Sequence, residues 1–476
     1  MSARRYKLAE YALAVATGGL VASEHFATSF GSLQQLRATQ LALAAIVAAA
    51  MAAHHPRREA APFYVALLAL VTRATMREPL RTRSDSALLG VATGSVALAV
   101  ALLVLFPWPD LTRLHGPYQS IGVTTMRLGD VECRVLYPSA KAPSAVPLSR
   151  RASMLHHGEH VLKGMSAFTR MPQFLFGCLN SGLLAAIPNA PVATPETRAA
   201  DSSSTGSDGG AKRWPLVVFS HGLGGTIDIY SAVTQQLASD GNIVVVVNHC
   251  DGSAAVTRMA DGRIEYYQPI SVAVRDNIDG AGFRLRNAQL RVRVQEVRRV
   301  LNAIALEQRT QAPGGVFAEA DAASVSLVGH SFGAATAMAT AHVDERIRCL
   351  VLLDAWMEPL DADVKTGLGP RVPVFHLLSE HFFHWDANMR ATKTHAHGCS
   401  HARSTLSVLR GTRHNDFCDL PLFSPLVNRL LKSSGRLSPL YALQAISELS
   451  AAFLRGAHAQ VIAQFPEVVV LEASAS

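Results

Sequence analysis

Hydrophobic residues are distributed along this chain in two different ways. From Ala87 to Phe106 twenty consecutive residues carry no charge. At 1.5 Å per helical residue that run spans about the 30 Å of a bilayer core. An Ala-rich run over 38–53 and a shorter one over 11–23 are weaker candidates, and 62–72 is too short to cross unaided. After Pro107 the pattern changes to short β-branched runs alternating with helical stretches, which predicts an α/β fold with a mainly parallel sheet. Strands are expected at Glu132–Tyr137, Leu216–Ser220, Ile243–Asn248, Ser324–Val328, Cys349–Asp354, Val372–Leu378 and Thr405–Leu409. Helices are expected at Ile229–Ser239, Phe283–Leu306, Phe332–Ala341, Leu422–Lys432 and Pro439–Arg455. Residues 189–213, rich in Pro, Ser, Gly and Thr, predict a disordered surface loop. The chain of 476 residues thus divides into an N-terminal membrane region, 1–110, and a second domain, 111–470.

The segment from Met154 to Ile187 mixes Phe168, Phe174, Phe176 and several leucines with His156, His157, Lys163 and Arg170. It reads equally as a membrane-surface helix and as a helical lid packed on the domain.

Composition agrees with a partly lipid-embedded chain: 49% of residues are hydrophobic and 17% charged, with a mean hydropathy of +0.19. The formal charge is +8, of which residues 1–86 supply +5 through ten Lys/Arg and five acids. The +3 left on the remainder does not describe a nucleic-acid surface. Further hydrophobic segments follow the first run, so retention rather than signal-peptide cleavage is expected. If 11–23 and 38–53 form a hairpin and 62–72 dips in, the arginines share one side, cytoplasmic by the positive-inside rule. The 87–106 helix of this multi-pass arrangement then delivers everything after Pro107 to the lumenal or extracellular face. A buried helical hairpin of a soluble domain is the alternative, and the chain has no N-x-S/T sequon to decide the side. Six cysteines lie far apart with no C-x-x-C pair, so neither a zinc ribbon nor a dense disulfide scaffold is indicated.

The chemistry starts at Gly329-His-Ser-Phe-Gly333, a G-x-S-x-G placed between a buried strand and a small-residue helix, AATAMATA. That context makes Ser331 a candidate nucleophile, exposed on a tight strand-to-helix turn. A serine hydroxyl needs an imidazole base and a carboxylate to orient it. On an α/β-hydrolase fold these follow in the order Ser, acid, His. The strand CLVLLD ends in Asp354, ahead of the competitors Asp361 and Asp363. Among the later histidines, His376 lies within a strand and 381–401 read as a polar His-rich loop, while His414 follows the last strand. Backbone N–H groups of Phe332 and of Leu223, in PLVVFSHGLGG, are the expected oxyanion donors. His221 is expected to brace that turn. A phosphate-binding loop is the competing reading of the glycines, but no G-K-[ST] follows.

At these residues the chain resembles the plasma-type (group VII) platelet-activating factor acetylhydrolase family. PLVVFSHGLGG, GHSFGAATA, LLDAWMEPL and RGTRHNDFCDL occur in that order, supported by HGPYQSIG, NHCDGSAAVT, RNAQLRVRVQEV and SEHFFHWDANM, over about residues 115–460. The resemblance implies an α/β-hydrolase with Ser331, Asp354 and His414 as the triad and Leu223 and Phe332 as the oxyanion hole. It further implies calcium-independent hydrolysis of the sn-2 ester of phospholipids with short or oxidised acyl chains. No cofactor or metal is called for, and the partners are the phospholipid and its membrane. Trp356 and Phe332 are candidates for lining the acyl pocket. The chain departs from the family's pattern in its N-terminal hydrophobic region, in Glu358 and in Cys250. Alternatives are a membrane-anchored lipase or carboxylesterase of longer-chain specificity and a catalytically silent binding protein.

Overall fold

The computed structural model describes residues 3–53, 57–75, 80–147, 150–195, 213–310 and 315–471. Most of the segment expected to be a disordered loop, 196–212, lies outside the described residues. Strands, in chain order, are β1 (Ile121–Leu128), β2 (Val131–Pro138), β3 (Ile187–Pro188), β4 (Trp214–Ser220), β5 (Ile243–Val247), β6 (Val256–Arg258), β7 (Ile264–Tyr266), β8 (Ala320–His330), β9 (Ile347–Leu353), β10 (Val374–Ser379), β11 (Thr405–Leu409) and β12 (Val468–Leu471). α-Helices of nine residues or more among the described residues are α1 (Ala3–His25), α2 (Leu33–Ala53), α3 (Ala61–Thr75), α4 (Leu80–Leu105), α5 (Glu159–Thr169), α6 (Ser231–Ser239), α7 (Ala281–Thr310), α8 (Phe332–Val343), α9 (Asp386–His397) and α10 (Pro439–Arg455).

Ten strands form one sheet in the order β12-β11-β10-β9-β8-β4-β5-β2-β1-β3. The six central strands from β11 to β5 run parallel, whereas β2 joins β5 antiparallel and β12 joins β11 antiparallel. The mainly parallel α/β architecture expected from the sequence is therefore present. Central strands are apolar throughout because both faces are covered: all five residues of β5 are buried. One face packs under α6 and α10 around Phe219, Phe375 and Phe453. The other packs under α7 and α8 around Leu350, Leu352 and Met338. Every strand drawn from the sequence lies within or beside an observed one. The pattern missed β1, whose central residues are only half-buried, the short β3, β6 and β7 and the edge strand β12.

Two local expectations fail. Residues 381–401 are not a loop but one helical turn followed by α9. Asn388, Met389, Thr392 and His395 recur at helical spacing and are buried, so the polar composition hid a real inward face. The helix expected over Leu422–Lys432 is two short pieces, Leu420–Phe423 and Pro425–Leu430, because Pro425 has no N–H with which to continue the first.

The described N-terminal residues include four α-helices, and 62–72 lies within α3. Two stretches, Gln34–Ala53 and Asp85–Leu105, are long and apolar enough to cross a membrane, and each is only 11% buried within the chain. Both properties also suit a signal sequence near the N-terminus for the first of them. Among the N-terminal helices, the buried Arg57 donates to Glu10 at 2.8 Å and lies over the Trp108 ring at 5.1 Å.

The segment between β2 and α5 is tied down by Arg134. This buried guanidinium bonds the Asp228 carboxylate at 2.9 Å and the carbonyls of Met154 and, at 2.6 Å, Ser153. Arg134→Leu leaves Asp228 charged and buried without its main partner. A loss of about 3–5 kcal/mol is expected, readable as a lowered thermal midpoint of the full chain.

Candidate active site

The nucleophile turn is built by sterics. β8 ends at His330 and α8 begins at Phe332, so Ser331 must reverse the chain in one residue, with φ 58° and ψ −117°. Such a backbone is strained for a side chain larger than glycine and persists only where neighbours enforce it. The enforcing contacts are visible. A Cβ on Gly329 would lie 2.2 Å from the Gly333 carbonyl oxygen, and one on Gly333 would lie 1.9 Å from that of Ser220. The Ser331 amide donates to Leu353 O at 2.9 Å, which fixes the turn against β9.

One strand over, Asp354 also has a positive φ, 47°, and is completely buried. Its carboxylate accepts from the Ser379 amide at 2.6 Å, the Ser379 hydroxyl at 2.7 Å and His414 Nδ1 at 2.9 Å. The His414 ring is held between two others: Phe382 stacks on it at 4.4 Å and 2°, and His330 lies 4.4 Å away on a 34° tilt. His330 is in turn bonded through Nδ1 to the Tyr230 hydroxyl at 3.0 Å, which accepts from the Gly222 amide. Burial, and then the neighbouring His414, push the His330 imidazole well below its ordinary value. The structure thus brings Asp354 and His414 into direct contact, while the Ser331 hydroxyl makes no hydrogen bond to His414 among the described residues.

The glycine-rich turn packs against the same point, since a Cβ on Gly222 would come within 3.2 Å of Ser331 Cβ. Leu223 follows Gly222 and Phe332 follows Ser331 in sequence, and their amide N–H groups make no hydrogen bond among the described residues. His221 braces the turn as expected: Nδ1 reaches Gly222 O at 2.8 Å and Nε2 accepts from the His249 amide. The Phe332 ring, by contrast, is fully buried core with the Arg293 guanidinium 4.3 Å over it, so it lines no pocket. Trp356 is half-buried, edge-on to Phe332 at 5.5 Å, and its amide donates to Ser331 O. Phe168 of α5 covers Gly224, so part of the segment 154–187 packs as a lid on the turn, while Phe174 remains 73% exposed.

Several supporting residues escaped sequence reasoning. Ser379 and Phe382 lie in SEHFFHWDANM, where the string carries no sign that it meets Asp354. Arg293 is wholly buried on α7, bonding Asp251 and the His221 carbonyl. A charge placed between Leu290, Val294 and Val297 was the available signal. The competitors fall elsewhere: Asp363 is mostly exposed and Asp361 accepts from Asn287. His376 is buried against His395, 3.0 Å apart. Atoms of His330, Asp354 and His414 lie within 4.8 Å of one another, close enough to hold an ion, but the Nδ1–Oδ2 bond suits orientation of a base.

A large parallel sheet with a serine at a strand-to-helix elbow, and an acid and a histidine after later strands, defines an α/β-hydrolase; the chain is a carboxylic ester hydrolase. The family model described as platelet-activating factor acetylhydrolase, isoform II, matches residues 129–465, and the chain belongs to that family. A platelet-activating factor acetylhydrolase of Cavia porcellus is 27% identical over 380 residues, 74% of this chain and 79% of that one. One from Bos taurus is 32% identical over 258 residues, 51% of this chain and 57% of the relative. Among solved structures, a ferulic acid esterase from Streptomyces cinnamoneus shares the fold at a TM-score of 0.54 and 21% identity, covering 76% of this chain and 99% of its own.

Two outcomes are expected here. Gly333→Ala cannot be accommodated against Ser220 O, and folded yield should collapse, as seen by size-exclusion chromatography. Burial pushes the His395 imidazole down to about 4 and the His376 ring well below its ordinary value. The unfolded chain then binds protons first as the pH drops below about 6.5, so stability is lost between there and about 4. The thermal midpoint should fall over that window, and fall less in His395→Gln.

Proposed function

We propose that this chain hydrolyses the sn-2 ester of phospholipids with short or oxidised acyl chains, using Ser331, His414 and Asp354. The observation that carries the reading is the 2.9 Å bond from His414 Nδ1 to a carboxylate buried next to the serine elbow. That bond leaves Nε2 as the free base nitrogen. Nε2 takes the Ser331 proton, Oγ attacks the ester carbonyl, and the tetrahedral oxyanion forms between the Leu223 and Phe332 amides. One such donor contributes about 2.7–4 kcal/mol to the transition state. The imidazolium, stabilised by Asp354, protonates the departing lysophospholipid, and water then cleaves the acyl-enzyme by the same route. Membership in the acetylhydrolase family supports a phospholipid ester as substrate. We assign Trp356 to the acyl side of the site, next to the acid and in contact with the nucleophile's carbonyl.

The proposal extends to location. The stretches Gln34–Ala53 and Asp85–Leu105 would anchor a multi-pass N-terminal region, 1–110, with the catalytic domain, 111–470, on the lumenal or extracellular side.

A fluorophosphonate probe should label the wild type and not Ser331→Ala. Asp354→Asn should keep the fold and lower kcat by about 10⁴, as expected where the orienting carboxylate is lost. Hydrolysis of short-chain sn-2 phospholipids should exceed that of long-chain ones and persist in chelator. Equal rates on long chains would favour a general lipase, and no labelling of the wild type would refute the hydrolase mechanism.

A further inference from the structure

We propose that Glu132, His156 and His157 form a binding site for one divalent transition-metal ion of the zinc type, separate from the ester-cleaving residues. One imidazole nitrogen from each histidine and one Glu132 carboxylate oxygen lie within 4.8 Å of one another. His157 Nε2 and Glu132 Oε2 are 2.6 Å apart, and the two imidazoles meet edge to face at 4.7 Å. Neighbouring residues of an extended chain send their side chains to opposite sides. Here the irregular backbone at 154–158 turns two consecutive imidazoles onto one carboxylate. Two nitrogens and one carboxylate oxygen are a donor set that zinc and its neighbours accept, with further positions left for water or a ligand.

The surroundings resemble those of a built site. The side chains of Glu132 and His157 are 5% and 7% exposed, whereas His156 faces solvent and leaves an entry. The Asn248 side-chain amide donates to Glu132 Oε2 at 3.2 Å, and its backbone N–H donates to the Glu132 carbonyl, so the carboxylate is held in place from outside. Thr125 Oγ1 lies 3.4 Å from His156 Nδ1.

Glu132 is on the rim of the sheet that carries Ser331, but β5 and β4 separate β2 from β8. Three steps of about 4.8 Å put the ion roughly 14 Å from the nucleophile, too far to act on the ester. Its place is structural. It would clip the chain just before α5, the helix that carries Phe168 over Gly224, to strand β2.

The test uses the full detergent-solubilised chain, stripped with chelator and dialysed. Zinc chloride is titrated by calorimetry into wild type and into His414→Ala, in which the second cluster of His330, Asp354 and His414 is broken. The expected result is one equivalent bound in both, with a raised thermal midpoint, and at least tenfold weaker binding in His156→Ala and in Glu132→Gln. His156 is exposed, so an unchanged metal-free midpoint separates loss of a ligand from loss of fold. Absence of binding, binding unaffected by His156→Ala, or binding abolished by His414→Ala alone would overturn the proposal. None of these results bears on fluorophosphonate labelling of Ser331, so this site and the esterase mechanism stand or fall separately.

Discussion

A carboxylate removed wholly from water is the constraint around which the active site is organised. An ionised acid in such a place is costly unless every lone pair finds a donor. Asp354 meets the requirement with three hydrogen bonds, two from Ser379 and one from His414. Those donors come from the end of β10 and from the turn after β11. The acid is therefore held only when three parallel strands are in register, and β9, β10 and β11 pair continuously to that point. The imidazole is fixed as a by-product: one nitrogen is committed to the acid, and the rings of Phe382 and His330 prevent the plane from tipping. Electrostatics and sheet topology thus act as one device.

The same logic explains which parts could be read from the string of residues. The elbow was legible because its requirements are local: a buried strand, two glycines that a Cβ would break, and a small-residue helix, all within about twenty positions. Asp354 and His414 were legible by position after strands. Ser379, Phe382 and Arg293 were not, because each acts through a contact made by tertiary packing, and nothing in a linear pattern says which strand ends converge. The histidine-rich segment misled for a related reason. Its polar letters suggest solvent, yet four of its positions recur at helical spacing and turn inwards, carrying His395 onto His376. The half-buried β1 escaped because it alternates too weakly to stand out from a loop, whereas β12 was passed over although VVVL is an uninterrupted apolar run.

The fold also joins polar side chains in its interior across distant elements. Arg134 with Asp228, Arg293 with Asp251 and His249 with Glu296 each sit almost fully buried, and each crosses between elements far apart in sequence. Together they hold the loops at the carboxyl ends of β4 and β5, the region from which the glycine-rich turn projects. Rigidity at that rim is what the proposed oxyanion site would need, because donors that must reorganise during the reaction contribute less.

Phe168 and Gly224 show how closely the lid and the turn are fitted. A Cβ at Gly224 would stand 2.3 Å from the aromatic ring, and the backbone there has a φ of +67°. Trimming the ring would clear the space but not relax the dihedral, for which glycine is still the residue of choice. Evolution or an engineer wishing to reshape this turn has accordingly one adjustable member of the pair and one that is locked.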